Sequence, residues 1–421
     1  MASRSRTIGD EQATARRFSW PHLLFILLLL DIAYIINAMD RQVFPVLISS
    51  IAGDLDFSAG QAGFQTTIFT LGMGLAAIPA GYIADRIGRK NMILCGLVTF
   101  SMATCLQGLT IGFADMAVYR ILAGAGEGIQ NAALYAAVGA FFHRNRAMSI
   151  GTLNAAYGIG AFCGPLLGNA LREATQSWRV PLFVFAAVGL VILVFVLVGV
   201  PRSVADFGQE RKTRTSTRAV GEDGGRLFNR NVVCCSIVTV VSGFAVYGWL
   251  GLFPTFLEQA RDFTSGEASL ASGVFGIGAL FSIFLGMIAD RWDQKRFNMI
   301  GLVGLMLVGG LTFTAPIGVP AAMALAVLMG VCLTGILYTN TNSLMQRSVP
   351  AHRVSTVVGV FVAGFFIPAS VAGYFFATVQ QYTNWATAGL VQMVAIPAIG
   401  LVAMMFVRKP EPARVSEGGR Q

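Results

Sequence analysis

Long apolar segments alternate with short polar loops along almost the whole chain. Most segments reach the roughly 20 apolar residues that a helix needs to cross the hydrocarbon core of a bilayer. Helices are predicted because an open sheet would leave backbone groups without hydrogen bonds in lipid. The pattern predicts an all-α polytopic membrane protein with twelve transmembrane helices, over residues 23–49, 60–84, 91–110, 113–141, 148–171, 181–200, 231–258, 267–289, 297–315, 319–345, 353–379 and 385–407.

The composition indicates that lipid is the solvent. Hydrophobic residues occupy 55% of the 421 positions and charged residues only 12%, and the mean hydropathy is +0.66. Typical soluble domains carry about 25% charged residues, and a single soluble core could not bury this many apolar side chains. The 48 glycines suit helices that pack closely within a membrane.

The basic residues predict the orientation in the membrane. If both termini are cytoplasmic, the tails and loops on that side hold 25 of the 30 Lys and Arg residues. This excess follows the positive-inside rule, so we expect a multi-pass protein of the inner (plasma) membrane with cytoplasmic termini. The net charge of +9 then reflects topology and contact with anionic lipid heads, and no nucleic-acid partner is expected.

A polar stretch divides the predicted helices into two sets of six. Its charged and glycine-rich runs predict a flexible cytoplasmic linker. The predicted organisation is an N-terminal tail at 1–22, a six-helix bundle at 23–200, a linker at 201–230, a second bundle at 231–407 and a C-terminal tail at 408–421.

One charged, glycine-bounded loop occurs in both halves. The first copy reads Gly81-Tyr-Ile-Ala-Asp85-Arg86-Ile-Gly88-Arg89-Lys90, and the second begins Gly286-Met-Ile-Ala-Asp290-Arg291. Each copy lies between two apolar segments. A loop repeated in the two halves of a membrane protein is typical of a duplicated transporter.

The pattern G-x-x-x-D-R-x-G-R-K in the first loop resembles the signature loop of the major facilitator superfamily. Two further stretches are similar to motifs of that family: Arg120-Ile-Leu-Ala-Gly124-Ala-Gly126-Glu127, and Gly160 to Gly168 around Pro165. The resemblance implies two six-helix bundles related by a pseudo-twofold axis along the membrane normal, with a central cavity.

Within the superfamily the chain looks most like the anion:cation symporter family. The likeness rests on Asn37-Ala-Met-Asp40-Arg41, on Arg120 with Glu127, on Ser177-Trp178-Arg179 and on the stretch from Trp249 to Pro254. It implies symport of a small organic anion, a carboxylate metabolite, with protons by rocker-switch alternating access. The spinster group of lipid carriers shares the Asp-Arg and Arg…Gly-Glu patterns, so a lipid transporter stays open, as does a drug or metabolite proton antiporter.

Four ionisable residues within predicted helices form the candidate coupling and binding site. Arg120 and Glu127 are seven residues apart, so they share one helix face about two turns apart. The resemblance places the first and fourth helices at the cavity, where Asp40, Arg41, Arg120 and Glu127 could form one cluster. We expect Asp40 and Glu127 to couple the proton and Arg41 and Arg120 to bind the anion. Glu127 is expected to be the more substrate-linked carboxylate, because it shares a face with Arg120. A static salt-bridge network is the alternative.

Polar and aromatic residues in otherwise apolar segments are the predicted lining of the substrate cavity. Each could instead be a hydrogen-bonding residue between packed helices. They are Tyr34, Asn37, Asn154, Tyr157, Tyr247, Trp249, Asn340 and Phe365.

The repeated loop is the predicted gate. Asp85 could accept hydrogen bonds from a helix N-terminus across the seam between the halves, because the helix dipole favours an anion there. The basic residues of the loop could pair with carboxylates or lipid phosphate, and its glycines permit close packing and a tight turn. The predicted gating residues are Gly81, Asp85, Arg86, Gly88, Arg89, Lys90, Asp290 and Arg291.

Other classes of function fit the sequence poorly. The glycines from Gly124 to Gly128 lack the spacing and the preceding strand of a nucleotide loop. The six cysteines lie in apolar segments without metal-ligand spacing to a histidine, so we expect no enzyme, cofactor or metal site. A receptor would need a signalling domain and a channel a pore loop. The expected partners are the anion, protons and the lipid bilayer, with the protein a monomer.

Overall fold

The computed structural model describes residues 20–207 and 227–408, and this part of the chain is helical throughout its regular structure. Most of both predicted tails and the middle of the predicted linker lie outside the described residues. The described part contains twelve long helical spans, which confirms the predicted fold class.

The twelve spans α1 to α12 are named in chain order, and three of them run through consecutive helical segments. They are α1 Trp20–Asp54, α2 Ala59–Ile87, α3 Arg89–Gly108, α4 Phe113–Phe141, α5 Arg146–Thr175, α6 Arg179–Gly199, α7 Arg230–Arg261, α8 Ser265–Gly273 with Phe275–Leu280 and Ser282–Arg291, α9 Gln294–Thr314, α10 Val319–Gly330 with Val331–Tyr338 and Thr339–Arg347, α11 Val354–Tyr382, and α12 Trp385–Leu390 with Val391–Ala395 and Ile396–Met405.

Eleven of these spans in the described residues are long and apolar enough to cross a membrane by length and hydropathy alone. The twelfth, α4, has 29 residues but carries Asp115, Arg120 and Glu127. Arg120 and Glu127 are almost completely buried, at 2% and 0% exposure. This span therefore holds two ionisable residues in the interior of the protein, which is where such residues in a membrane protein are expected.

The two halves meet along two helix pairs. Helix α2 packs against α11, and α5 packs against α8. Glycines permit both approaches: a side chain at Gly81 would meet the Ser355 carbonyl, and one at Gly286 would meet the Ala147 carbonyl. The same arrangement thus occurs twice, as a pseudo-twofold relation between the halves requires. We call the end of the bundle where α2 finishes and α11 begins the loop end, and the opposite end the far end.

Helix α10 departs from α-helical geometry in its middle. Residues Val331–Tyr338 form a π-helical segment, whose wider turn rotates the side chains that follow it. Such segments are rare in proteins and often occur at functional sites. Here the segment ends at Tyr338, which faces the interior between the two halves.

The beginning of the predicted linker adopts helical structure and contacts the repeated loop. A one-turn helix covers Arg202–Ala205 after α6. Asp206 accepts a hydrogen bond from the Lys90 backbone amide at 3.0 Å, and the Phe207 carbonyl accepts one from Arg89 at 2.9 Å. This stretch is therefore attached to the repeated loop.

Candidate functional site

A buried ion pair lies at the centre of the molecule. Arg41 of α1 donates from Nε to Oε2 of Glu127 of α4 at 2.9 Å, and the two side chains are only 7% and 0% exposed. The Arg41 Nη2 also donates to Oδ1 of Asn37 at 2.9 Å, and Asn37 in turn donates to Gln130 at 2.7 Å. Asn37 therefore positions Arg41 from behind and, with a fully buried side chain, does not line the cavity as predicted.

Asp40 lies beside this pair. Its Oδ2 accepts a hydrogen bond from the Thr104 hydroxyl of α3 at 2.8 Å, and its side chain is 3% exposed. Asp40 and Glu127 are also near enough to interact electrostatically, and Oε1 of Glu127 has no hydrogen-bond partner among the described residues. Arg41 and Arg120 are the nearby positive charges. The four predicted residues thus form one electrostatic cluster.

Arg120 is held differently from Arg41. Its guanidinium lies between the rings of Phe44 and Phe69, 3.8 and 4.0 Å from their centroids, and its Nε donates to the Gln65 carbonyl at 3.3 Å. Glu127 bonds to Arg41, so the interaction between Glu127 and Arg120 is electrostatic only. The two residues do share a face of α4, but two turns separate them and each meets a different neighbour.

Two connected cavities adjoin the cluster. The outer cavity, of about 640 Å³, reaches exposed residues near the far end of the bundle, including Gly63 and Tyr374. Arg120 lines only the outer cavity, whereas Arg41, Tyr157 and Tyr247 line both. The inner cavity has about 40 Å³, and its further lining includes three predicted residues: Tyr34, Asn154 and Phe365.

Trp249 and Asn340 do not line these cavities, so this part of the prediction is wrong. Trp249 is fully buried and stacks on Phe253, with ring centroids 4.2 Å apart. Asn340 follows the π-helical segment and donates to the Gln294 carbonyl near the loop end at 2.9 Å. The sequence marks both as unusual residues of a membrane span but does not fix the direction in which they point.

At the loop end, each predicted gating aspartate accepts hydrogen bonds from the first amides of a helix in the other half. Asp85 accepts from the backbone amides of Ser355 and Thr356 at 3.2 and 2.9 Å. Asp290 accepts from the amides of Ala147 and Met148 at 3.1 and 2.9 Å. Both carboxylates thus lie where amide groups and helix dipole favour an anion, and they join the halves.

Two basic residues of the loop form hydrogen bonds to neutral oxygens in this structure. Arg89 is fully buried and donates to neutral oxygens, those of Ser355 and Phe207 among them, at 2.8 and 2.9 Å. Lys90 donates to the Leu197 carbonyl at 2.7 Å.

The other two arginines and the turn glycine complete the loop. The exposed Arg86 stacks on Tyr82 of its own helix and bonds to its hydroxyl. Arg291 is exposed at the rim of a surface cavity. Gly88 has φ 99°, a value that other residues rarely adopt, so the tight turn needs this glycine.

The family model described as Major Facilitator Superfamily matches residues 30–373 and also 263–420. The chain belongs to this superfamily. It is therefore a multi-pass membrane transporter and not an enzyme.

Two relatives and one solved structure show the range of similarity. The cis,cis-muconate transport protein of Acinetobacter baylyi is 25% identical over 90% of this chain and 93% of its own length. The hexuronate transporter of Bacillus subtilis is 24% identical over 79% and 82%. The structure of the proton:xylose symporter XylE, bound to 6-bromo-6-deoxy-D-glucose, has a TM-score of 0.71 at 13% identity and covers 92% of this chain and 96% of that one.

Sequence inspection missed several residues of the site. Thr104 and Phe366 carry no signal in one sequence, because a threonine or phenylalanine in a membrane span is commonplace. Asp206 was hidden within a polar run. The two helices whose first amides donate to Asp290 and Asp85 could be recognised in the sequence. The stretches at the starts of α5 and α11 resemble each other: Arg144-Asn-Arg146-Ala-Met-Ser-Ile-Gly151 and His352-Arg353-Val-Ser-Thr-Val-Val-Gly359.

Proposed function

We propose that this transporter moves a small organic anion together with protons by alternating access. The supporting observation is the buried Arg41–Glu127 pair, in which Arg41 also lines both cavities. Arg41 binds the substrate carboxylate, Arg120 adds positive charge in the outer cavity, and Asp40 and Glu127 carry the proton.

The charge of the cluster supplies the coupling. With both carboxylates ionised, the two arginines are neutralised and Arg41 is held by Glu127. A proton on Glu127 removes that charge and leaves Arg41 free to form a bidentate bond with a substrate carboxylate. Protonation of Glu127 would leave the buried Arg41 charge unpaired, which is costly unless an anion binds to it. Binding of the proton and binding of the anion therefore favour each other. Asp40 and Glu127 lie within electrostatic range of each other, so the charge of one influences the protonation of the other.

Alternating access follows from the two aspartate contacts. In this conformation Asp85 and Asp290 hold the loop end closed, while the outer cavity extends to the far end. Rocking of one half against the other would break these contacts and open the loop end. We place the protein in the inner membrane with its loop end facing the cytoplasm, because the basic residues are concentrated on that side. The protein acts as a monomer within the bilayer.

The relatives support an anionic substrate, because muconate and hexuronates are both carboxylates. The two cavity arginines also favour an anion over the cation that a drug antiporter would expel. A lipid carrier of the spinster kind would accept an anionic head as well, but it needs room for an acyl chain.

The test uses purified protein in liposomes, with cis,cis-muconate and D-glucuronate as labelled substrates. An inward pH gradient should drive at least one of them above its equilibrium concentration. Glu127→Gln should retain exchange of substrate for substrate but lose this uphill uptake, since a residue that cannot release a proton cannot couple to it.

Asp31→Asn is the matched control. Asp31 is another acid within α1, but it accepts a hydrogen bond from Thr152 at 3.1 Å and lines neither cavity. This variant should keep uphill uptake. Uphill uptake that persists in Glu127→Gln, or that follows a sodium gradient instead, would contradict proton coupling through this pair. Preferred uptake of a lysophospholipid would support the lipid alternative.

A further inference from the structure

Aromatic rings from both halves surround the inner face of Arg41. The guanidinium carbon of Arg41 lies 5.6 Å from the ring centroid of Tyr157 in α5 and 5.3 Å from that of Phe366 in α11. A carboxylate bound to Arg41 would therefore place its attached group among aromatic rings of α1, α5, α7, α10 and α11. We call these six residues the aromatic cage: Tyr34, Tyr157, Tyr247, Tyr338, Phe365 and Phe366.

The rings of the cage hold one another in fixed orientations. Tyr338 meets Phe365 edge to face, with centroids 4.8 Å apart and planes at 89°. Tyr247 meets Phe366 in the same way at 6.0 Å and 74°. Aromatic side chains have few rotatable bonds and prefer such contacts, so the cage offers preformed walls. The inner cavity between them is small, at about 40 Å³, and leaves little room for a bulky group.

Two of the four tyrosine hydroxyls of the cage, those of Tyr34 and Tyr157, accept hydrogen bonds from protein groups, and the buried Tyr338 hydroxyl has no hydrogen-bond partner among the described residues. The Tyr157 hydroxyl accepts a hydrogen bond from Gln42 at 3.0 Å. Asn154 accepts from Tyr135 and donates to Thr339, both at 2.6 Å. At this depth a substrate with many hydroxyl groups would meet mostly aromatic rings and few free polar groups, the Tyr338 hydroxyl among them.

The outer cavity also has few side-chain hydroxyls that are free of hydrogen bonds within the protein. Five serine and threonine side chains line it, and all of them except Thr66 donate a hydrogen bond to a carbonyl of their own helix. A sugar acid would exchange its bonds with water for few protein partners, which opposes binding. The four donating residues are Thr67, Thr70, Ser272 and Ser370.

We infer that the substrate is a planar unsaturated carboxylate, aromatic or conjugated, whose carboxylate binds Arg41 and whose flat body lies between Tyr157 and Phe366. This inference rests on the proposed function and assigns the substrate class of the same site. The aromatic cage selects flat π-systems over saturated rings and over polyhydroxylated acids.

The test compares two ligands of matched size and charge, benzoate and cyclohexanecarboxylate. They differ in that one ring is flat and aromatic and the other is puckered and saturated. Binding to the purified protein, measured by calorimetry, should favour benzoate by about tenfold, the scale of one or two good aromatic contacts. Binding of cis,cis-muconate should be of similar strength to that of benzoate, and D-glucuronate should bind more weakly than either.

Phe366→Leu removes one wall of the cage and keeps an apolar side chain. The preference for benzoate over cyclohexanecarboxylate should fall several-fold. Phe375→Leu is the matched control, because Phe375 lies on the same helix, contacts the ring of Phe244 at 5.1 Å and lines neither cavity. Its preference should equal that of the unmodified protein.

The outcomes separate the two proposals. If D-glucuronate or cyclohexanecarboxylate binds as well as benzoate and is taken up with protons, the proposed symport stands and the inference on substrate class is overturned. An unchanged preference in Phe366→Leu also overturns it. If none of the four carboxylates binds, the organic-anion function fails together with this inference.

Discussion

Asp85 accepts hydrogen bonds from both the backbone amide and the hydroxyl of Thr356, at 2.9 and 2.6 Å, although 271 positions separate the two residues in the chain. One carboxylate of the N-terminal half thereby caps the first turn of α11 in the C-terminal half. The relation between Asp290 and the start of α5 is its counterpart. The gating role that we assign to these contacts leads to the first prediction.

Asp85→Asn should open the loop end. An amide provides one acceptor in place of a carboxylate and lacks the charge that the helix N-terminus favours, and hydrogen bonds to charged groups contribute about 1.5–3 kcal/mol. The population of closed molecules should therefore fall about tenfold or more relative to open ones. Spin labels at the exposed positions Asn145 and Ala351, in a background without the native cysteines, would report the distance across the loop end.

Asp115→Asn is the control for that experiment. Asp115 accepts from the backbone amides of Ile111 and Gly112 at 2.7 and 2.9 Å, but within one half and at the far end. This variant should leave the distance distribution at the loop end unchanged. The same distribution in Asp85→Asn and the unmodified protein would limit the loop to a role in topology.

Gly81→Ala should weaken the same closure by crowding. A Cβ at Gly81 would overlap the Ser355 carbonyl and lie 3.1 Å from the Cα of Gly359. Backbone atoms cannot move aside cheaply, and overpacking costs about 1–3 kcal/mol. The labelled loop end should shift toward longer distances. Gly63→Ala, whose Cβ would meet nothing within 4 Å, should not shift it. A closed distribution in Gly81→Ala would contradict the tight seam.

Arg41→Lys should weaken binding of the substrate anion by about tenfold or more, because lysine lacks the planar fork that binds a carboxylate with two hydrogen bonds. Arg120→Lys keeps the positive charge but should also weaken binding, because an ammonium group cannot take the fixed position of the planar guanidinium. Arg120→Lys also loses the stacking between Phe44 and Phe69. Calorimetry with benzoate or cis,cis-muconate would measure both variants. Arg172→Lys, a half-exposed arginine bonded to Asn169 and Ser50, should bind normally. Normal affinity in both cavity variants would refute the assignment.

Asp40→Asn should separate exchange from accumulation. The amide keeps the size of the side chain and can still accept from Thr104, so the cavity and its affinity should persist. A proton can no longer be taken up or released at this position, so a pH gradient should drive no net accumulation. Counterflow and gradient-driven uptake, measured on the same liposomes, would separate the two activities. Accumulation at the rate of the unmodified protein would assign coupling to Glu127 alone.

The sequence by itself determined what depends on local physical chemistry. The length and apolar character of each span follow from the thickness of the bilayer, and charge in the loops predicts orientation. The contact of Asp85 with a helix N-terminus was also predictable from the sequence, because the free backbone amides and the dipole at a helix N-terminus favour a carboxylate. The choice of Asp40, Arg41, Arg120 and Glu127 followed from the cost of charge within a membrane.

The tertiary structure alone decided which of these groups meet. The spacing of Arg120 and Glu127 places them on one face of α4. The position and rotation of α1 bring Arg41 into contact with Glu127, and Arg120 lies between two phenylalanine rings. Those rotations depend on packing among many side chains, and no local pattern encodes them. The aromatic cage, the attachment of Asp206 and the directions of Trp249 and Asn340 were hidden for the same reason. They arise where residues from distant segments come together, and a single sequence does not record that proximity.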